Sequence, residues 1–184
     1  MSSLYVLRHG MTDWNVVKKL QGQTDIPLND EGIAMAKEAG EKYRDVHFDT
    51  CFCSPLVRAR RTADLLLKGR DIPIEYDDRL KEIAFGDYEG LLYTELSDDH
   101  PVKKAFRDPE HFVPAKGGES IKQLIERTGD FLHEKVRPLL DKDMDVLIVG
   151  HGAMNSSIIV NVKELPVEEF WNEGIENCVL KRLI

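Results

Sequence analysis

The chain has 184 residues, 42% of them hydrophobic and 32% charged, with a formal net charge of −8. That length and mix suit one globular domain able to bury its own core, and exclude a disordered chain. The acid excess argues against a general nucleic-acid binder, which needs a basic face, and no apolar run approaches the roughly 18 residues of a membrane span.

In chain order, residues 3–7 form a short apolar strand ending at Arg8 and His9. With two such polar residues and no long apolar stretch, the start of the chain does not read as a signal peptide, and a cytoplasmic protein is expected. After a polar loop, residues 30–46 are helical, with Ile33, Ala36, Gly40 and Tyr43 on one face. Residues 49–53 are the second strand. Cys51 and Cys53 point to one of its faces, and with Cys178 they make an odd count that suggests reduced thiols. No second Cys or His pair stands at ligand spacing, so the two read as core thiols rather than a metal pair. Ser54 and Pro55 fit the N-cap and first position of a helix running to about Lys68.

Residues 73–76 are extended. Residues 77–116 are irregular, with short helices near Tyr93 and Val102, and read as a lid-like insertion at about 77–117. A long helix begins near Glu119. Ser120 and Gln123 make its capping box, and Leu124, Thr128, Phe131, Leu132, Val136 and Leu139 form its inward stripe. Residues 145–149 are continuously apolar, as in a strand buried on both faces. A helix from Ala153, a short one near Val167 and a strand over 179–183 complete the chain. Strands alternating with helices predict an α/β fold, a three-layer α/β/α sandwich with a mainly parallel central sheet. No internal repeat or linker divides it, so residues 1–184 are expected to be one domain.

In such sheets ligands bind beyond the carboxyl ends of the strands. His9, the stretch Ser54 to Arg58, and His151 each follow directly on a predicted strand, so two imidazoles and two guanidiniums, Arg8 and Arg58, converge on one sheet edge. Arg8 places a bidentate anion binder beside a potential nucleophile, and Gly10 allows close backbone approach to a ligand. Arg58 lies on a first helical turn, where free N–H groups already favour an anion. A metal is disfavoured, since no third ligand stands at metal spacing and the arginines would repel a cation. Glu82 fits a proton donor near this cluster. Blander readings stand beside these: a surface Arg8-His9 pair, a solvated Arg58 on a face shared with Arg60 and Arg61, a turn-capping His151, and a Glu82 paired with an arginine.

The run Leu7-Arg8-His9-Gly10-Met11-Thr12-Asp13-Trp14-Asn15 resembles the signature of the histidine phosphatase superfamily, the phosphoglycerate-mutase-like proteins. Further blocks resemble that family in the same order: Gln21 through Leu28, Ser54 through Ala63, Glu82 through Gly90, Gly117-Gly118-Glu119-Ser120, and Val149-Gly150-His151-Gly152. Each block is weak alone; six in order are specific. The resemblance implies His9 as a phosphorylated nucleophile and Glu82 as acid/base. It implies Arg8, Arg58 and His151 as holders of the phosphoryl oxygens, with Asn15, Gln21, Gly22 and Gly152 assisting, and neither metal nor cofactor. Gly90 to Gly117 is shorter than the corresponding interval of the family's mutases, and the Gly-Gly-Glu-Ser form is similar to its small phosphatases, which include alpha-ribazole phosphatase and broad-specificity enzymes.

A metal-independent phosphomonoester hydrolase is therefore expected, with a small phosphorylated metabolite as partner and a monomer or homodimer as its state. The alternatives are a cofactor-dependent phosphoglycerate mutase and, in another class, a non-catalytic phosphate-ligand-binding pseudoenzyme. The family's small members often carry tryptophans in the stretch 98–116. This chain has Phe106 and Phe112 there, with Lys103, Lys104, Arg107 and Lys116, which either line a substrate entrance or decorate a solvated loop.

Overall fold

A computed structural model describes residues 2–184. Five strands, β1 (Leu4–Arg8), β2 (Thr50–Cys53), β3 (Ile74–Tyr76), β4 (Val146–Gly150) and β5 (Leu180–Arg182), form one sheet in the order β3-β2-β4-β1-β5. β4 carries an unbroken apolar run, is buried at every position, and takes the centre. It pairs in parallel with β1, Leu4 facing Val146 through Arg8 facing Gly150, and with β2 on its other side. β3 extends the parallel set and β5 closes the β1 edge antiparallel.

Side chains alternating across the pleat divide the core between two faces. On one face Leu7, Cys51, Cys53, Leu147 and Val149 pack with alanines of α2 (Asp30–Lys42) and α3 (Val57–Leu66). On the other, Val6, Phe52 and Ile148 pack with Phe131 of α5 (Ile121–Phe131) and Ile158 of α7 (Gly152–Lys163). This is the three-layer α/β/α arrangement. α1 (Asp13–Val16) and α4 (Pro101–Arg107) are short and lie outside the sheet order. Among the described residues, no helix is long and apolar enough to cross a membrane. Cys51, Cys53 and Cys178 are free and buried, and burial pushes their thiols up, that of Cys178 to about 12.

Three boundaries differ from the sequence reading. α2 is capped by Asn29, whose side chain accepts the Gly32 N–H, and ends at Lys42 rather than 46. α3 begins at Val57, not at Ser54-Pro55: Leu56 is extended with ψ 138°, and the Ser54 hydroxyl accepts the Leu56 N–H at 3.3 Å and meets His151 rather than an N–H of the helix. α5 has the expected Ser120–Gln123 capping box. It then passes through a π-turn, Leu132–Val136, into α6 (Arg137–Leu140). Pro138 has no N–H and its ring crowds the preceding turn, and the wider π-turn accommodates it while Val136 still reaches the core. Residues 77–117 hold 3-10 turns at Asp78–Leu80, Gly86–Tyr88, Tyr93–Glu95 and Pro109–His111 besides α4.

Candidate active site

β1, β2 and β4 end side by side, so His9, Ser54 and His151 emerge together. The sheet pairing continues into them: His9 N–H donates to the Gly150 carbonyl at 2.9 Å and Ser54 N–H to that of Val149 at 3.0 Å. The Asn177 amide donates to the His9 carbonyl at 2.7 Å, fixing the backbone from the far side.

The His9 ring is 3% exposed and its Nδ1 lies 2.6 Å from the Gly10 carbonyl oxygen. A carbonyl only accepts, so Nδ1 carries the proton and Nε2 holds the lone pair. Burial first, then Arg58 and Arg8, hold the ring's pKa well below the usual 6.5, against the pull of the Gly10 carbonyl. The imidazole is therefore neutral. The His151 ring stands edge-on to it, centroids 5.2 Å apart, fully buried, with Nε2 2.7 Å from the Ser54 hydroxyl. Burial, then Arg58, His9, Arg8 and Arg127, keep His151 neutral as well.

Arg58 is not the solvated arginine of the blander reading. It is fully buried, and its guanidinium donates to the Gly22 and Thr24 carbonyls at 2.7 and 2.8 Å. Arg8 donates to the Ile175 carbonyl at 3.3 Å. The Nε atoms of both arginines are buried with no protein partner, so an acceptor such as a phosphoryl oxygen would meet unsatisfied donors. Gly10 serves a different purpose from the one expected. A Cβ there would lie 2.5 Å from the Gly32 carbonyl oxygen, so Gly10 admits the first turn of α2 rather than a ligand. Asn15 and Gln21 spend their side-chain oxygens on Thr12, leaving their amide nitrogens for a ligand.

Glu82 takes no part in an ion pair among the described residues. Its Oε1 accepts N–H groups of Ile83 and Met154, both at 2.9 Å, and Oε2 accepts that of Ala153 at 3.2 Å. The carboxylate thus sits on the N-terminus of α7, a favourable place for negative charge. Arg8, His9, Arg58 and Glu82 line one cavity of about 230 Å³, whose wall also takes in Asn15, Gln21, Gly22 and Gly152. His151 stands behind His9, off the wall. Two other hollows, of about 310 and 650 Å³, are remote from these groups.

The sequence model of the histidine phosphatase superfamily (branch 1) matches residues 4–184. The chain belongs to the histidine phosphatase superfamily. It is similar to the 2,3-bisphosphoglycerate-dependent phosphoglycerate mutase 2 of Gloeobacter violaceus, 33% identical over 97% of this chain and 84% of that one. It is also similar to a Bacillus subtilis protein described as an uncharacterized phosphatase, PhoE, 35% identical over 88% and 78%. A solved mycobacterial glucosyl-3-phosphoglycerate phosphatase in complex with VO3 superimposes with a TM-score of 0.87 at 29% identity, covering 99% of this chain and 92% of that one. The chain is an enzyme of this superfamily, with phosphatases among both its sequence relatives and its structural neighbours.

Residues to which the sequence analysis gave no role also hold the parts of the cavity together. Ser54 anchors His151 instead of capping α3. Glu89 accepts N–H groups of Gln23 and Thr24 at 3.0 Å and of Phe85 at 3.2 Å, tying the Gly22 loop to the Glu82 segment. Arg127 of α5 and Glu119, just before the α5 N-cap, brace that segment. Glu89 and Glu119 lie within the blocks that resemble the family, but such a resemblance does not say which atoms a carboxylate holds. Trp171 reaches the cavity mouth from the C-terminal region, with no signal near it. Of the two phenylalanines in 98–116, Phe106 lines the mouth and stacks on Trp171 at 4.7 Å, whereas Phe112 is in the core. Lys103, Lys104, Arg107 and Lys116 are not on the wall; Lys103 lies over Tyr93 and pairs with Asp98.

Proposed function

We propose that this chain is a metal-independent phosphomonoester hydrolase working through a phosphohistidine on His9, with Glu82 as general acid and base and a small phosphorylated metabolite as substrate. One observation carries it: a neutral buried imidazole, Nδ1 engaged and Nε2 without a protein partner, on the wall of a cavity it shares with two guanidiniums. The Nε2 lone pair attacks phosphorus while the ester P–O bond breaks. Protonated Glu82 gives its proton to the leaving oxygen. Oε2, with a single N–H partner and beside Gly152, is the oxygen free for this exchange. The carboxylate then takes a proton from water as the water oxygen attacks phosphorus, and the P–N bond's electrons return to Nε2.

Arg8 and Arg58 stabilise the equatorial oxygens, with the amides of Asn15 and Gln21 assisting at the rim and Gly22 and Gly152 leaving room. His151, held by Ser54, backs the His9 ring edge-on, and its Nδ1, which has no protein partner, is the atom left to assist in holding the phosphoryl group. Residues 77–117 act as the insertion of a single domain, closing over the mouth. The site supplies its own positive charge, so neither metal nor cofactor is needed.

Water as the acceptor is supported by the short 90–117 interval. The mutase name of one relative keeps transfer to a second hydroxyl as the alternative. The test is a panel of phosphometabolites assayed in EDTA beside 2- and 3-phosphoglycerate interconversion. Phosphate release ahead of interconversion is expected. Interconversion outpacing release would make the chain a mutase, and loss of turnover in EDTA restored by a divalent ion would overturn the metal-free scheme. Tight phosphate binding with no turnover of any ester would make it a sensor.

A further inference from the structure

Glu82 is held at two ends. Its carboxylate rests on the α7 amides, but the backbone that presents it belongs to no strand or helix. From α5, Arg127 reaches across and donates to the Arg79 carbonyl at 2.5 Å, that of Lys81 at 2.9 Å and that of Glu82 itself at 3.1 Å. The same guanidinium is clasped by both oxygens of Glu119, at 2.5 and 2.9 Å. Glu119 Oε1 also accepts the Ala84 N–H at 3.0 Å, and the Glu119 N–H donates to the Ala84 carbonyl at 2.9 Å. The pair therefore grips the chain on both sides of Glu82. Its side chains are only 20% and 16% exposed, so it is far less screened than a surface ion pair. A lysine lacks the planar fork that serves these acceptors together.

We infer that Arg127, oriented by Glu119, is the positioning residue of Glu82 and sets the distance over which the proton travels. This rests on the acid/base reading of Glu82. α5 and α7 are themselves bound together, Thr128 Oγ1 to Ser157 Oγ at 2.9 Å and the Asn161 amide to the Ile125 carbonyl at 2.9 Å. One helix pair thus carries root and head of the acid, while the nucleophile rides on β1. Arg127 is the joint between the loop and that pair.

The experiment compares Arg127→Met with Glu82→Gln on p-nitrophenyl phosphate, whose leaving group needs little protonation, and on glycerol 2-phosphate, whose alkoxide needs a proton. Inhibition by inorganic phosphate is measured alongside. Arg127→Met is expected to lower kcat on glycerol 2-phosphate by about 10- to 100-fold, the scale of a misplaced general acid. On p-nitrophenyl phosphate the loss should be about threefold or less, with phosphate inhibition unchanged, since protonation of that leaving group adds little. Glu82→Gln should show the same asymmetry, and the double variant should be no worse than Glu82→Gln alone. Glu119→Gln, which keeps an oxygen for Ala84 and Arg127, should retain more activity on glycerol 2-phosphate than Glu119→Ala. That pair decides the question if Arg127→Met does not fold. Asymmetry in Glu82→Gln with equal slowing in Arg127→Met, or weakened phosphate inhibition there, overturns the positioning role alone. Equal slowing of both substrates by Glu82→Gln sinks the reading beneath it.

Discussion

His9, Ser54 and His151 each follow directly on a strand locked to its neighbours, whereas Glu82 sits between the 3-10 turns Asp78–Leu80 and Gly86–Tyr88. The sheet side of the cavity is positioned by backbone pairing: β1 and β4 in register deliver His9 and His151 to the same height, ring against ring. The Glu82 side is positioned by side chains, with Glu89, Glu119 and Arg127 pinning loop amides and carbonyls. On the sheet side, side-chain anchors such as Ser54 and Asn177 only supplement what the strand pairing already fixes. The loop side depends on braces that do not line the cavity, and so offers more positions where a remote change reaches the site.

The largest test of this contrast is on the sheet side. His9→Ala should leave the fold intact yet remove turnover by about 10⁴-fold or more, the scale for losing a nucleophile, together with the acid-labile phosphoprotein seen on rapid quench with labelled substrate. Wild-type turnover in that variant would dissolve the assignment. Gly22→Ala strikes the joint between the two sides. Gly22 has φ +50°, and a Cβ there would lie 2.1 Å from Glu89 Oε1. The left-handed backbone alone costs about 1–2 kcal/mol for a residue with a Cβ, and the displaced Glu89 would release Gln23 and Phe85. Denaturant unfolding should register at least that loss, with weaker phosphate inhibition because Arg58 bonds the Gly22 carbonyl. Unchanged stability would show the loop to be more pliant than its contacts indicate.

A smaller effect follows from the buried rings. His9 and His151 have pKa values well below 6.5 when folded. At pH values above 6.5 both are neutral folded or unfolded, and their protonation does not alter stability. As pH falls below 6.5 the unfolded chain binds protons that the folded chain refuses, so stability declines down to the folded values. Chemical denaturation from pH 7.5 to 5 should show this decline, and His151→Gln should flatten it; an unchanged slope would mean that the ring takes up its proton as readily in the native state as in the unfolded chain. The smallest effect is expected at the mouth. Phe106 is 42% exposed, so Phe106→Ala should shift KM for aromatic esters by about fivefold or less, roughly one partly buried ring contact, and leave phosphate inhibition untouched. A large fall in kcat would put Phe106 in the chemistry.

How much was legible follows the same division. Apolar runs ending at His9 and at His151 announced two strand ends, and the carboxyl-end rule placed both imidazoles and Arg58 at one edge. The Ser120–Gln123 box and the inward stripe of α5 were readable because capping and helical periodicity are local. Ser54 misled, since a Ser-Pro pair before a helix looks like a cap until the imidazole of His151 claims the hydroxyl. Gly10 misled likewise, because its close neighbour is the Gly32 backbone and not a ligand. Arg127 lies far along the chain from Glu82, and no spacing rule joins them.

By itself the sequence determined the α/β layering, the strand ends that carry His9 and His151, and the family, because these rest on short-range patterns and on blocks of adjacent residues. Only the tertiary structure decided that the His9 Nδ1 is spent on Gly10, that Arg58 is buried against the Gly22 and Thr24 carbonyls, and that Glu82 rests on α7 while Arg127 holds its backbone. Protonation and aim depend on burial and on partners brought from distant segments, and those exist only once the chain has closed.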